Sequence, residues 1–205
     1  MKRIKNVLIF FLAMVMLGAC RDKKSEKKEE ENIQQENTFV NPLKTEGAQC
    51  WANYYDGWYY YMQEAVDRLE LWRTRDITDL EHAEHKVIWI PKDPSNAHHL
   101  WGPEIHPIAG KWYVYYAASD DNMDNHQLFV LENSSADPFE GEFELKGRIS
   151  TDKNNNWAIH PNVFEHRGAW YMTWSGWQSR RDRDMSVLSL HLTGKRIIFY
   201  TTPEV

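Results

Sequence analysis

Three polar residues stand at similar places ahead of three similar hairpin sequences. Gln49 and His160 each lie eight residues before a hairpin glycine, and Glu104 lies six residues before its own. A carboxyl group and an imidazole can transfer protons near neutral pH, so His160 could activate water. The amide of Gln49 cannot take a proton from water at that pH. Because the three residues recur in a repeat, we expect them to point into one central cavity.

The elements that would position these side chains form an internal repeat. Each unit has a short extended segment, a glycine turn and an aromatic run, and the turn glycines are 53 and 58 residues apart. The extended segments before the turns span residues 51–55, 104–108 and 162–166, and the runs after them span residues 58–61, 111–116 and 169–174. Such a pattern is typical of a tight β-hairpin. Two further strands follow each hairpin, so we predict an all-β fold, a β-propeller of four-stranded antiparallel blades. A single β-sandwich is the alternative.

The number of units raises a question about the length of the chain. Residues 39–205 hold about three blades, whereas propellers are built from at least four. We therefore expect a truncated chain that carries a partial propeller.

Aromatic residues and net charge narrow the class of ligand. The chain has 10 Trp, 10 Tyr and 8 Phe, which favours β-structure or a surface that stacks on sugars or bases. A net charge of −6 argues against nucleic acid as a partner. Four tryptophans lie beside the cavity-facing positions and could stack on sugar rings: Trp51, Trp101, Trp157 and Trp177. Packing between blades is the alternative for each.

The first residues resemble a bacterial lipoprotein signal. Basic residues precede an apolar run over 7–17, and Leu-Gly-Ala-Cys ends at Cys20. We predict a signal peptide over 1–19, a lipid anchor on Cys20, a flexible tether over 20–38 and the folded domain over 39–205. This places the protein in the cell envelope, at the outer membrane or cell surface. An ordinary secretory signal is the alternative.

Two histidine groups and one acidic stretch have metal-like composition. Residues 82–85 and 98–99 lack the spacing of a zinc helix, and we interpret them as loop histidines. Residues 120–125 lack the glycine and final glutamate of a calcium loop, and we interpret them as a polar blade loop. We predict no metal site from these motifs.

Several short motifs, in order, resemble glycoside hydrolase family 43. They span residues 41–43, 47–51, 101–106, 157–160 and 174–177. The resemblance implies a five-bladed propeller that acts on arabinose- or xylose-containing glycans, with two blades missing here. It also implies that a channel metal ion such as calcium could be present.

The resemblance assigns roles to the three cavity residues. The family inverts configuration with a general acid, a general base and a third carboxylate, the acid and base being about 6.5–9.5 Å apart. Glu104 matches the acid, Gln49 stands where the family has its base, and His160 where it has the third carboxylate. We therefore hypothesise a shifted mechanism, with Glu104 as acid and His160 or Glu46 as base.

Three classes of function follow. The first is a glycosidase of the α-L-arabinofuranosidase or β-xylosidase type, which hydrolyses O-glycosyl bonds with altered catalytic residues. The second is a non-catalytic surface lipoprotein that binds glycans. The third is a structural or assembly lipoprotein. The predicted partners are a polysaccharide or oligosaccharide and, through the anchor, a membrane.

Overall fold

A computed structural model describes residues 39–181 and 183, together with the backbone of 185–193 and 196–200. The predicted signal peptide, Cys20 and the tether lie outside the described residues. The chain divides into two units, residues 1–41 and 42–205. Of the first unit only 39–41 are described, and they have no regular secondary structure. All the strands that the structure describes belong to the second unit.

Blade 1 is an antiparallel sheet whose strands follow the order of the chain. Its strands are β1 (Trp51–Tyr55), β2 (Trp58–Met62), β3 (Leu69–Thr74) and β4 (Glu84–Trp89).

Blade 2 repeats that order with longer inner strands. Its strands are β5 (His98–Ile108), β6 (Lys111–Ser119), β7 (Gln127–Asn133) and β8 (Glu144–Ile149).

Blade 3 has the same antiparallel order. Its strands are β9 (Ala158–His166), β10 (Ala169–Trp177), β11 (Met185–Thr193) and β12 (Arg196–Tyr200). The prediction of four-stranded antiparallel blades is thus confirmed.

Helical structure among the described residues is confined to three short 3-10 turns: Ile77–Asp79, Pro94–Asn96 and Met123–Asn125. Each follows an Asp or Asn whose side chain accepts a hydrogen bond from a backbone N–H of the turn. These residues cap the turns and hold loops between strands.

The inner hairpins begin earlier than the sequence indicated in two blades. β1 has the expected start, but β5 starts at His98 and not Glu104, and β9 at Ala158 and not Asn162. The pairing of β5 with β6 and of β9 with β10 shifts register within these added residues. Bulges interrupt the alternation of side chains, and that alternation is the pattern from which strands are read.

The blades pack face to face through the alternating side chains of β6. Trp112, Val114 and Tyr116 belong to the core between blades 1 and 2. Tyr115 and Ala117 belong to the core between blades 2 and 3. Because successive strand residues point to opposite faces, one strand fills two interfaces. Blade 2 is therefore buried on both sides and fixes the inner strands of its neighbours.

Candidate functional site

A cavity of about 290 Å³ lies where the inner strands of the three blades meet. Corresponding positions of each blade line it: Gln49, Cys50 and Trp51 in blade 1, Gly102, Pro103 and Glu104 in blade 2, and His160 and Pro161 in blade 3. The structure therefore brings the three predicted residues Gln49, Glu104 and His160 to one cavity.

The backbone shows which of these residues are equivalent. Gln49, Gly102 and His160 each lie eight residues before the hairpin glycine of their blade, and their φ angles are 47°, 52° and 49°. The counterpart of Gln49 and His160 in blade 2 is therefore Gly102 and not Glu104. Left-handed backbone is uncommon for residues other than glycine and collects at functional sites.

Gln49 and His160 bind each other across the cavity. His160 Nε2 lies 2.8 Å from Gln49 Oε1, although the residues are 111 positions apart. Gly102 makes room for this contact. A Cβ atom on Gly102 would lie 3.0 Å from His160 Cδ2 and 3.6 Å from Gln49 Oε1. A side chain at position 102 would therefore press on the pair.

Burial and nearby charges act in opposite directions on His160. Burial lowers the pKa of His160, since it disfavours the charged ring. The carboxylates of Glu64 and, to a smaller extent, Glu104 raise that pKa. The imidazole nevertheless keeps a lowered pKa, so its neutral form is favoured near pH 7.

Glu104 is the most enclosed of the three predicted residues. It is 7% exposed. Its Oε1 accepts a hydrogen bond from Asn162 Nδ2 at 3.0 Å, and its Oε2 accepts one from the Val163 N–H at 3.1 Å. His106 Nε2 lies 3.0 Å from Oε2. Glu104 thus joins blades 2 and 3.

The same network continues into blade 1. The ring of Trp51 packs on the ring of His106 with centroids 5.2 Å apart. Asn53 Nδ2 donates to the carbonyl of Ile105 at 3.1 Å. The inner strands are therefore joined by polar contacts immediately behind the cavity wall.

Glu64 is a charged residue that the sequence analysis missed. Its backbone N–H donates to the Ala48 carbonyl at 2.9 Å, directly beside Gln49. No motif marks it, because it follows β2 and only the fold brings it towards blade 3. Glu46, the other predicted base, is exposed and is not among the charges that act on His160. Gly102 was detectable in principle from its eight-residue offset.

The four predicted stacking tryptophans separate into two groups. Trp51 lines the cavity. Trp101 stacks on His126 with centroids 4.1 Å apart, and Trp157 stacks on Trp177 at 4.9 Å. Trp157 Nε1 also donates to the Met123 carbonyl at 2.8 Å. These three rings have protein neighbours and are not among the residues that line this cavity.

The histidine groups agree only in part with their interpretation as loop residues, because His82 lies in a turn but the other three lie in strands. His85 lies in β4, and His98 and His99 lie in β5. Within the part of the chain that is described, no group of three or more His, Cys, Asp or Glu side chains could hold a metal ion. Nor does any helix among those residues reach the length and apolarity needed to cross a membrane.

The blades have four antiparallel strands each, and their inner strands converge on one cavity. This architecture defines the class as a β-propeller protein with a central site. The chain belongs to Glycosyl hydrolases family 43, whose sequence profile matches residues 24–198. The resemblance drawn from the motifs is thus confirmed.

Relatives with described activities agree with this assignment. The chain is 35% identical over 177 residues to an extracellular exo-α-(1→5)-L-arabinofuranosidase of Streptomyces chartreusis, covering 81% of this chain and 53% of that protein. It is 31% identical to the Streptomyces avermitilis enzyme of the same name, covering 82% of this chain and 36% of that one. The chain thus spans about half or less of these relatives.

A solved structure with a similar fold is that of an α-L-arabinofuranosidase from Lactobacillus brevis. The TM-score is 0.71 with 25% sequence identity, over 81% of this chain and 57% of that one.

Proposed function

We propose that the protein is a glycosidase that acts on arabinose- or xylose-containing polysaccharides or oligosaccharides. The observation that carries this proposal is the shared cavity of Gln49, Glu104 and His160 in a family 43 chain. The arabinofuranosidase activity of the relatives supports arabinose as the first sugar to test.

The chemistry would be a direct displacement by water. The water oxygen bonds to the anomeric carbon while His160 accepts the proton that water loses. The bond between the anomeric carbon and the glycosidic oxygen breaks, and that oxygen takes a proton from Glu104. His160 is the better base candidate of the two predicted, since it is among the residues that line the cavity and Glu46 is not.

A second candidate is a glycan-binding protein without turnover. The hydrogen bond between Gln49 and His160 favours it, since an amide stands where the family has its base and already occupies one ring nitrogen. The three contacts of Glu104 favour it too. In both candidates we propose that Cys20 is lipidated and tethers the domain at the cell envelope.

The test is a time course of the full chain with aryl α-L-arabinofuranosides and β-xylosides. We expect turnover to disappear in His160→Ala and in Glu104→Gln, and to persist in His166→Ala, an exposed residue of the same strand. Turnover that survives in both His160→Ala and Glu46→Gln would overturn the shifted mechanism. Saturable binding with chemically intact sugar would establish the second candidate instead.

A further inference from the structure

The contact between Gln49 and His160 determines which ring nitrogen can accept a proton. An amide oxygen can only accept a hydrogen bond, so His160 Nε2 carries the hydrogen in its 2.8 Å contact with Gln49 Oε1. In the neutral ring the lone pair then lies on Nδ1. Gln49 therefore selects one of the two tautomers of His160.

The fold maintains this contact from three blades at once. Gln49 and His160 both have left-handed backbone, a conformation that costs about 1–2 kcal/mol for a residue with a side chain. Gly102 between them leaves the space that a Cβ would fill. Strain of this kind persists where the surrounding structure imposes it, as at sites that must hold a side chain in one place.

Glu64 lies between the walls contributed by blades 1 and 2. Its N–H bonds to Ala48, and the next residue, Ala65, donates to the Leu100 carbonyl at 3.3 Å. Within the described part of the chain, the Glu64 carboxylate forms no hydrogen bond or ion pair of its own, whereas the Glu104 carboxylate has three polar contacts. Of the two carboxylates that act on His160, Glu64 acts more strongly. His126 is the other titratable group that interacts with His160.

We propose that Gln49 is a positioning residue that holds His160 with its proton on Nε2, so that His160 Nδ1 is the basic atom of the cavity. In the reaction described above, Nδ1 receives the proton that water loses. The catalytic role of Nδ1 rests on the proposed function. The arrangement of Gln49, Gly102 and His160 does not depend on it.

The tautomer is tested by long-range ¹H–¹⁵N correlation spectra of the full chain, with His160→Asn to identify the signals. We expect protonated Nε2 and unprotonated Nδ1 in the neutral ring. Gln49→Ala should give a mixture of tautomers, and Gln49→Glu, which keeps an acceptor, should restore the Nε2–H form. A neutral wild-type ring that carries its proton on Nδ1 would overturn the proposal.

The electrostatic effect of Glu64 on the ring is a separate prediction, tested by titrating His160 in the same spectra. Glu64→Gln should lower the pKa of His160, because it removes the stronger of the two negative charges. Asp67→Asn is the matched control, since it removes a charge from the same loop at an exposed residue paired with Arg68. If the pKa of His160 is unchanged in Glu64→Gln, or shifts equally in both variants, the Glu64 charge does not act specifically on the ring.

Turnover assays on the same variants separate this inference from the proposed function. The expected spectra without hydrolysis of any arabinoside or xyloside would refute the glycosidase and leave the arrangement intact. Hydrolysis by a protein whose neutral His160 carries its proton on Nδ1 would support the glycosidase and refute the proposed arrangement.

Discussion

The two ends of the inner hairpins share a backbone conformation but differ in what imposes it. At the outer tips, the pairs Asp56–Gly57, Ala109–Gly110 and Arg167–Gly168 all have positive φ, which defines type I′ turns. At the cavity ends, Gln49, Gly102 and His160 have positive φ as well. Cβ atoms on Gly110 and Gly168 would meet nothing within 4 Å, and one on Gly57 would meet only the Arg75 side chain of its own blade, whereas one on Gly102 would meet the neighbouring blade. The tips are therefore locally determined, and the cavity ends are held by contacts between blades.

The largest expected difference between the two ends is in the free energy of unfolding lost when a carboxylate of blade 2 is removed, at the cavity or near the outer tip. Glu104→Ala would leave Asn162, the Val163 N–H and His106 without their shared acceptor, and we expect a loss of about 3 kcal/mol in the free energy of unfolding. Glu132→Ala near the tip removes contacts to the half-exposed Lys111 and Lys146 and the hydrogen bond from the Tyr113 hydroxyl, with an expected loss of about 1 kcal/mol. Urea unfolding of both variants measures the difference. Equal losses would mean that the cavity end is no more tightly coupled than the tip.

Two glycines test whether left-handed backbone alone matters. Gly102→Ala and Gly110→Ala both place a side chain on positive φ, at a cost of about 1–2 kcal/mol each. Only Gly102→Ala also presses on His160, so we expect it to weaken arabinoside binding or turnover at least tenfold, about 1.4 kcal/mol.

The matched Gly110→Ala variant should keep wild-type binding and turnover at a similar loss of stability. Titration calorimetry and the aryl-glycoside assay measure the effect. A Gly102→Ala protein with unaltered binding and turnover would show that the space over Gly102 has no role in the site.

Two histidines give opposite dependences of stability on pH. Burial lowers the pKa of His126, which lies behind Trp101, so its stabilising effect is present above the unfolded pKa near 6.5 and is lost as pH falls. The neighbouring His99 and His160 also oppose its protonation. Asp79 raises the pKa of the exposed His82, whose small contribution is instead lost as pH rises.

We therefore expect stability to fall between pH 7 and pH 5, by at most about 1.4 kcal/mol per pH unit for the single proton taken up at His126. Thermal unfolding over this range should show a flatter profile for His126→Asn but not for His82→Asn. The same slope in all three proteins would assign the effect to other groups.

The smallest expected effects come from substitutions that relieve backbone strain at each end of an inner hairpin. Ala109→Asn places a residue that tolerates left-handed backbone in a type I′ turn, and we expect a gain of about 0.5 kcal/mol with unaltered ligand binding. Gln49→Asn relieves similar strain but shortens the side chain by one methylene, so it should lose the contact with His160 and weaken binding. Binding and unfolding assays compare the two. A Gln49→Asn protein with intact binding would show that this contact is dispensable.

The sequence by itself determined the blades and the hairpin tips. Alternating apolar residues, aromatic runs and X-Gly turns act over a few residues, so the strands and type I′ turns follow from local chemistry. The family motifs identified Gln49, Glu104 and His160 for the same reason, since each motif is a short run.

Only the tertiary structure decided how those residues are joined. The 2.8 Å contact between Gln49 and His160 spans 111 positions, and the enclosure of Glu104 depends on Asn162 and Val163 of the next blade. Glu64 carries no local signal at all. Contacts of this kind arise when inner strands converge around one cavity, and neither side-chain alternation nor turn chemistry reports that convergence.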